Sequence, residues 1–296
     1  MTVMVTGASG PVGHALIPLL VRKDEVRVAV HDPADADGLR ALGAKVTLGR
    51  LDDVPALAEV LGGVFTIVHL VGGPDQPDDD TLWDANHRSV LRALDAARAA
   101  GVRRFLLVSV PGASAEASRP FLRAKGLAEE AVTTSGLQHA VIRSAPVVGV
   151  GSAWFAAMVA GALESPPVVW GEPELALAPV AIGDLAAALA VADDLDVELA
   201  GTWSLEGPDV VSARDLVAML SGPLGRPEVV EGDAARVRLS GLFGHDVSGH
   251  LIDALTHPMR ADAPDAAGFF GIERTPLVDA ITVALASATT PDADGR

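Results

Sequence analysis

Thr2-Val-Met-Val-Thr-Gly-Ala-Ser-Gly-Pro-Val-Gly13 joins an apolar, β-branched run to a glycine-rich turn. Thr2 to Val5 have the composition of a buried parallel strand. Gly7, Gly10 and Gly13 then fall three apart, the T-G-x-x-G-x-x-G spacing of a dinucleotide-binding loop. Gly7 permits a sharp turn, Gly10 lets backbone approach a pyrophosphate, and Gly13 lets a helix pack tightly on the strand. The helix that follows, from Pro11 to about Val21, aims its amide N–H groups and positive dipole end at the anion. The cofactor-binding candidates in this loop are Gly7, Ser9, Gly10, Pro11 and Val12.

Working outward, strand and helix patterns alternate. Val26–Val30, Lys45–Leu48, Phe65–Leu70, Phe105–Ser109 and Gln138–Arg143 read as strands. Ala36–Leu42, Val54–Leu61, Thr81–Ala100 and Arg119–Thr134 read as the helices between them, with Gly101 and Gly136 as terminators. This alternation predicts an α/β fold, a Rossmann-type doubly wound parallel sheet whose ligand lies at the carboxyl ends of the strands. Beyond about Gly151, proline and glycine become frequent and the pattern loosens into short strands near Val168 and Trp203. Asp184 is expected to cap a helix over Leu185–Ala192, and Thr275-Pro276 to open one over Leu277–Leu285. The expected division is a nucleotide-binding domain over 1–150 and a smaller C-terminal α/β substrate lobe over 151–296.

Composition excludes several functions. The 296 residues carry a formal net charge of -17, which argues against nucleic acid as a partner, since phosphate binding needs a basic patch. Without cysteine there is no disulfide, thiolate metal site or cysteine nucleophile. Ser144–Leu163 is uncharged and as long as a membrane span, but Pro146, Gly149 and Gly151 break it, so a strand end, a loop and a buried helix are expected. With no charged leader before Thr2, the expected location is the cytoplasm. His245, His250 and His257 read as one helical stretch, yet their spacings do not make the i, i+4 pair of a zinc site. The acidic run Asp75–Asp84 reads as a loop and helix start, and His69 as a core histidine. No metal site is assigned.

The chain resembles the atypical, extended short-chain dehydrogenase/reductases, in particular their NmrA-like and NAD(P)-dependent epimerase-like branches. The likeness covers nearly the whole chain. Thr6–Gly13 matches the glycine loop, and Val68-His-Leu-Val-Gly-Gly73 the exit of the fourth strand. Asn86 with Ala93–Phe105, then Val141-Ile-Arg-Ser144 and Pro179–Asp184, match later segments. The resemblance implies a nicotinamide cofactor contacted also by His31, Arg50, Leu51, Val71, Gly72, Lys125 and Pro146.

The sequence departs from the family where the chemistry lies. The family's Tyr-x-x-x-Lys reads Phe121-Leu-Arg-Ala-Lys125, and the chain has no tyrosine. A phenyl ring transfers no proton, so the usual acid–base step is lost. Val110 falls at the position of the family's serine, with Ser109 one residue early. Lys125 remains the catalytic candidate, as ribose contact or proton carrier; the alternative is an exposed lysine paired with Glu129.

The second strand ends in Val30, where NAD-preferring sites carry an acid, and His31 stands where NADP binders often carry arginine. Arg50 either stacks on adenine or reaches a 2′-phosphate, or else is a solvated surface arginine, whereas Asp32 turned inward would favour NAD. NADP is the expected cofactor, with NAD the alternative. These features imply an NAD(P)H-dependent reductase of a small apolar carbonyl, quinone or enone, walled by residues 109–113, 145–155 and 239–255, as a monomer or homodimer. The alternative is a non-catalytic NmrA-like dinucleotide sensor, which needs no tyrosine; sugar-nucleotide epimerase chemistry is disfavoured because it depends on one.

Overall fold

Strand β1 (Thr2–Thr6) runs through the centre of the molecule with Val3, Met4 and Val5 fully buried. A computed structural model describes residues 1–30, 32–49, 53–222, 229–232 and 248–289. On one side of β1 lie β2 (Glu25–Val30) and β3 (Lys45–Leu48). On the other lie β4 (Thr66–His69), β5 (Arg104–Ser109), β6 (Gln138–Ser144) and β11 (Ala200–Leu205). All neighbours in this seven-stranded sheet are parallel, in the order β3-β2-β1-β4-β5-β6-β11. The order reverses between β1 and β4, whose Thr6 and His69 are register partners at their carboxyl ends. That reversal leaves a crevice into which the loops after both strands project.

Helices cover both faces, as a parallel sheet requires. On one face α1 (Pro11–Leu20) and α8 (Ile182–Asp194) pack together over Val5, Val28, Leu106 and Ile142. The other face carries α3 (Val54–Val60), α5 (Ser89–Ala100) and α6 (Pro120–Thr133) over Met4, Ile67, Phe105 and Leu107. Arg104, buried at the amino end of β5, donates to the carbonyls of Ala192, Asp193, Leu195 and Val197 and so caps the end of α8.

A separate core joins α7 (Ala153–Leu163), α9 (Ala213–Ser221), α10 (Gly249–Leu255) and α12 (Leu277–Thr289) around Trp154, Met158, Leu216 and Leu251. Short pairs surround it: β7 (Val147–Val148) with β10 (Val180–Ala181), β8 (Val168–Trp170) with β13 (Val230–Gly232), and β9 (Ala176–Leu177) with β12 (Val211–Ser212). Helix α11 (Ala266–Phe270) packs back on β11.

Several local expectations need correction. The strand at Trp203 is a full member of the main sheet, because its six residues pair with β6. Asp184 is not a helix cap: α8 begins at Ile182, and the Asp184 carboxylate accepts from the amide and hydroxyl of Thr275, tethering the start of α12. The long helix after the fourth strand begins earlier, as α4 (Asp79–Trp83), capped reciprocally by Asp78 and Thr81, and reaches α5 through a π-helical turn over Asp84–Arg88. His250 and His257 do not share a helix, since α10 ends at Leu255; His245 lies outside the described residues. Over 144–163 the only helix is the eleven-residue α7, and no helix among the described residues is long and apolar enough to cross a membrane.

Candidate functional site

The glycine loop leaves β1 in a conformation that its residues make possible. Gly7 has φ +70°, and a Cβ there would lie 2.8 Å from the backbone of Leu70 and Val71. A Cβ on Gly13 would lie 2.2 Å from the carbonyl oxygen of Ala8, so the helix approaches the turn more closely than any side chain permits. Gly10, in extended conformation, stands at the N-terminus of α1 with no side-chain cap, leaving the first helical amides directed at the crevice. The loop therefore keeps space and donors for an anionic group, which is the fit a dinucleotide requires. A hollow of about 490 Å³ over it is lined by Ser9, Pro11, His14, Val150 and Gly151.

Beside the loop lies a second cavity of about 310 Å³. Pro11 and Val12 of the glycine loop, Gly72 after β4 and Pro146 after β6 all line it. Val71 abuts Gly7. Ser109 and Val110 at the end of β5, with Phe121 and Lys125 from α6, form its inner wall. Ser152 to Trp154, Ala254 and Met259 close it from the C-terminal half. Nine of the twelve sequence-derived candidates thus surround the crevice, while His31, Arg50 and Leu51 lie outside the described residues.

Lys125 is neither exposed nor paired with Glu129. It is buried, and Nζ donates to the Val108 carbonyl at 3.1 Å. Burial pulls its ammonium down to about 8, against a smaller upward pull from Glu129. Glu129 is instead bound by Arg143 through both carboxylate oxygens, Nε to Oε1 at 3.0 Å and Nη2 to Oε2 at 2.7 Å. Phe121, one turn before Lys125, places an apolar ring where the family carries a phenol.

Ser109 ends β5 beside the cavity. The residue lines the cavity, its side chain is fully buried, and Oγ has no hydrogen-bond partner in the protein. A buried hydroxyl without a partner costs roughly 1–3 kcal/mol. No spacing rule reveals this, because it depends on how β5 ends against α6. Asn86 was matched only by resemblance. It sits in the π-helical turn, takes the amide of Gly73 at 2.8 Å and donates to the carbonyls of Gly73 and Leu82, so it fixes the cavity wall after β4.

His69 bonds Thr6 Oγ1 through Nδ1 and Ser89 Oγ through Nε2. Burial drives its ionisation down to about 3, assisted by the charges of Lys125 and Arg92, so it stays neutral. His250 contacts Asp79 at 3.0 Å. Among the described residues no three histidine or acidic side chains converge as metal ligands would.

A family profile described as NAD(P)H-binding matches residues 7–148. Over 252 residues the chain is 31% identical to the (4-alkanoyl-5-oxo-2,5-dihydrofuran-3-yl)methyl phosphate reductase of Streptomyces griseus, covering 80% of each chain. Over 125 residues it is 32% identical to the 4-hydroxy-2-methyl-3-oxo-4-farnesyl-3,4-dihydroquinoline-1-oxide ketoreductase of Stigmatella aurantiaca, covering 42% of this chain and 37% of that one. Its fold is similar to that of the UDP-glucose 4-epimerase of Thermotoga maritima, with TM-score 0.74, 16% identity and coverage of 97% and 98%.

Proposed function

Because the chain belongs to an NAD(P)H-binding reductase family, we propose that it is an atypical short-chain reductase of a small, unsaturated or ketonic carbonyl compound in which Lys125, rather than a tyrosine, gives the proton. The observation that carries this reading is the convergence of Lys125 and the unpartnered Ser109 Oγ on one preformed cavity beside the glycine loop. The named substrates of the two reductase relatives, an alkanoyl oxo-dihydrofuran and an oxo-dihydroquinoline, support the substrate class.

When bound, the nicotinamide supplies a hydride, that is, two electrons and one hydrogen, to a carbon of the substrate. Gly7, Ser9, Gly10, Pro11 and Val12 would hold the pyrophosphate, and Val71, Gly72 and Pro146 would flank the remainder of the cofactor. The apolar wall of Phe121, Trp154 and Met259 excludes water and orients a flat substrate. Ser109 Oγ donates to the substrate oxygen and stabilises the charge that grows there. Lys125, an ammonium at neutral pH with a lowered affinity for its proton, gives that proton to the product and regains one from solvent. Residues 1–150 serve as the cofactor domain and 151–296 as the substrate lobe, interleaved because α8 and β11 return to complete the cofactor-binding sheet, in a cytoplasmic monomer or homodimer that needs neither metal nor nucleic acid.

NADP(H) is the preferred cofactor in this proposal. Asp32, the acid that would favour NAD, is exposed and accepts the amide of Ala34 at 2.9 Å, at the start of α2 (Ala34–Ala41). One observation favours the sensor alternative: Phe121 is packed with Leu82 and Leu122 in a small apolar cluster of its own. Turnover of a panel of enones, quinones and ketones with NADPH separates the two. Oxidation of NADPH by at least one class, reduced a hundredfold or more in Lys125→Met, is the expected result. Tight NADPH binding without turnover of any class would replace the reductase by the sensor.

A further inference from the structure

Lys125 and Glu129 stand one turn apart on the same face of α6, a spacing at which opposite charges ordinarily pair. Here they do not. Arg143 on β6 takes both oxygens of Glu129, and its guanidinium is held in turn by Asp262 at 2.9 Å and by the Ala113 carbonyl at 3.0 Å. Asp262 is fixed by the amide of Gly112 and the hydroxyl of Ser204. A planar fork anchored at this many points has no freedom to release the acid.

We infer that Arg143 is a positioning residue for Lys125: by occupying Glu129 it keeps the ammonium without an acidic partner and directed at the cavity. The inference rests on the proton-donor reading of Lys125 for its purpose, though not for its test. The other groups around Lys125 are consistent with it. His69 from β4 is neutral, with Arg92 of α5 beyond it. Asp75, from the loop after β4, is the one acid that lines the cavity among the described residues. The β5 backbone contributes the Val108 carbonyl, and Ser109 contributes an uncharged hydroxyl. A free Glu129 would therefore be the strongest competitor for the ammonium.

The chain contains three lysines, Lys23, Lys45 and Lys125, so lysine labelled with carbon-13 at Cε gives three signals whose titration is followed directly by NMR. The full chain without cofactor is used. In the wild type the Lys125 signal is expected to titrate near about 8. In Arg143→Gln the midpoint should rise by about one pH unit as Glu129 turns to the lysine. In the double variant Arg143→Gln/Glu129→Gln it should return to the wild-type value. A wild-type midpoint at the ordinary lysine value overturns the inference, as does an unchanged midpoint in Arg143→Gln. A rise that persists in the double variant also overturns it, because the cause is then only the loss of a neighbouring positive charge. Should Arg143→Gln fail to fold, Arg143→Lys retains the charge but not the two-point grip, and the same rise is expected; no rise overturns the inference. Because the titration needs no turnover, failure of the reductase reading would show separately, as a wild-type protein inactive on every carbonyl class.

Discussion

Thr6 donates its hydroxyl to Nδ1 of His69 at 2.8 Å, across the two strands between which the sheet reverses. The direction follows from the next bond along. Ser89 Oγ lies 2.6 Å from the Ala85 carbonyl, which only accepts, so the serine proton goes there and its oxygen takes Nε2–H of His69. The histidine is a neutral bridge, buried in the floor of the crevice.

A histidine that stays neutral when folded and takes a proton when unfolded makes stability depend on acid. Its folded value is about 3 against an ordinary 6.5, so below pH 6.5 the unfolded chain binds the additional proton and stability falls until about pH 3. At pH 5 this amounts to about 2 kcal/mol relative to pH 7. Urea unfolding of His69→Gln at the two pH values should show a loss smaller than that of the wild type by about this amount.

Gly7→Ala is expected to destabilise the chain by about 1–3 kcal/mol, since alanine meets both a left-handed φ and the backbone of Leu70 and Val71. Thermal unfolding with and without NADPH measures the second effect. Ligand at a hundred times its Kd stabilises by about 2.7 kcal/mol, and this increment should disappear in the variant.

The same measurement ranks the cofactors. NADPH should raise Tm more than NADH at equal concentration, and Arg50→Ala should narrow the difference while leaving the NADH shift in place. Equal shifts in the wild type would remove the preference for the phosphorylated cofactor.

Lys125→Met should make the protein more stable while abolishing its turnover. Holding a charged lysine whose folded value is about 8 instead of 10.5 costs about 3 kcal/mol at neutral pH, of which the lost bond to Val108 returns about 1 kcal/mol to the wild type. Between pH 8 and 10.5 the unfolded chain binds more protons than the folded one, so wild-type stability rises with pH across that window. Guanidinium unfolding should show the variant ahead by about 2 kcal/mol at pH 7 and the advantage lost by pH 10.5.

The fold was legible because parallel strands buried on both faces have continuous apolar runs, and Thr2–Val5 and Phe105–Ser109 have no other plausible home. The glycine loop was legible for a related reason, as backbone contacts leave their mark as missing side chains. The state of Lys125 was not. Its helix shows an i, i+4 acid, and only the arrival of Arg143 from β6 and Asp262 from after α10 diverts that acid. The surroundings of Ser109 were not legible either, because they depend on how the end of β5, where it still pairs with Arg143, packs against α6. Asp184 had the composition of a cap, yet its carboxylate serves a residue ninety-one positions later.

The late strand β11 also governs the birth of the molecule. Its six residues form the outer rung against β6, and α8 just before it is the cover for α1, which was made more than a hundred and sixty residues earlier. A nascent chain halted at residue 150 would lack α8, and with it the helix that packs beside α1 over Val5, Val28, Leu106 and Ile142. The ribosome must therefore deliver some two-thirds of the polypeptide before the nucleotide-binding half can close. Until then, the part of that sheet face which α8 covers stays open to solvent, the kind of apolar surface that makes a partly folded chain prone to aggregate.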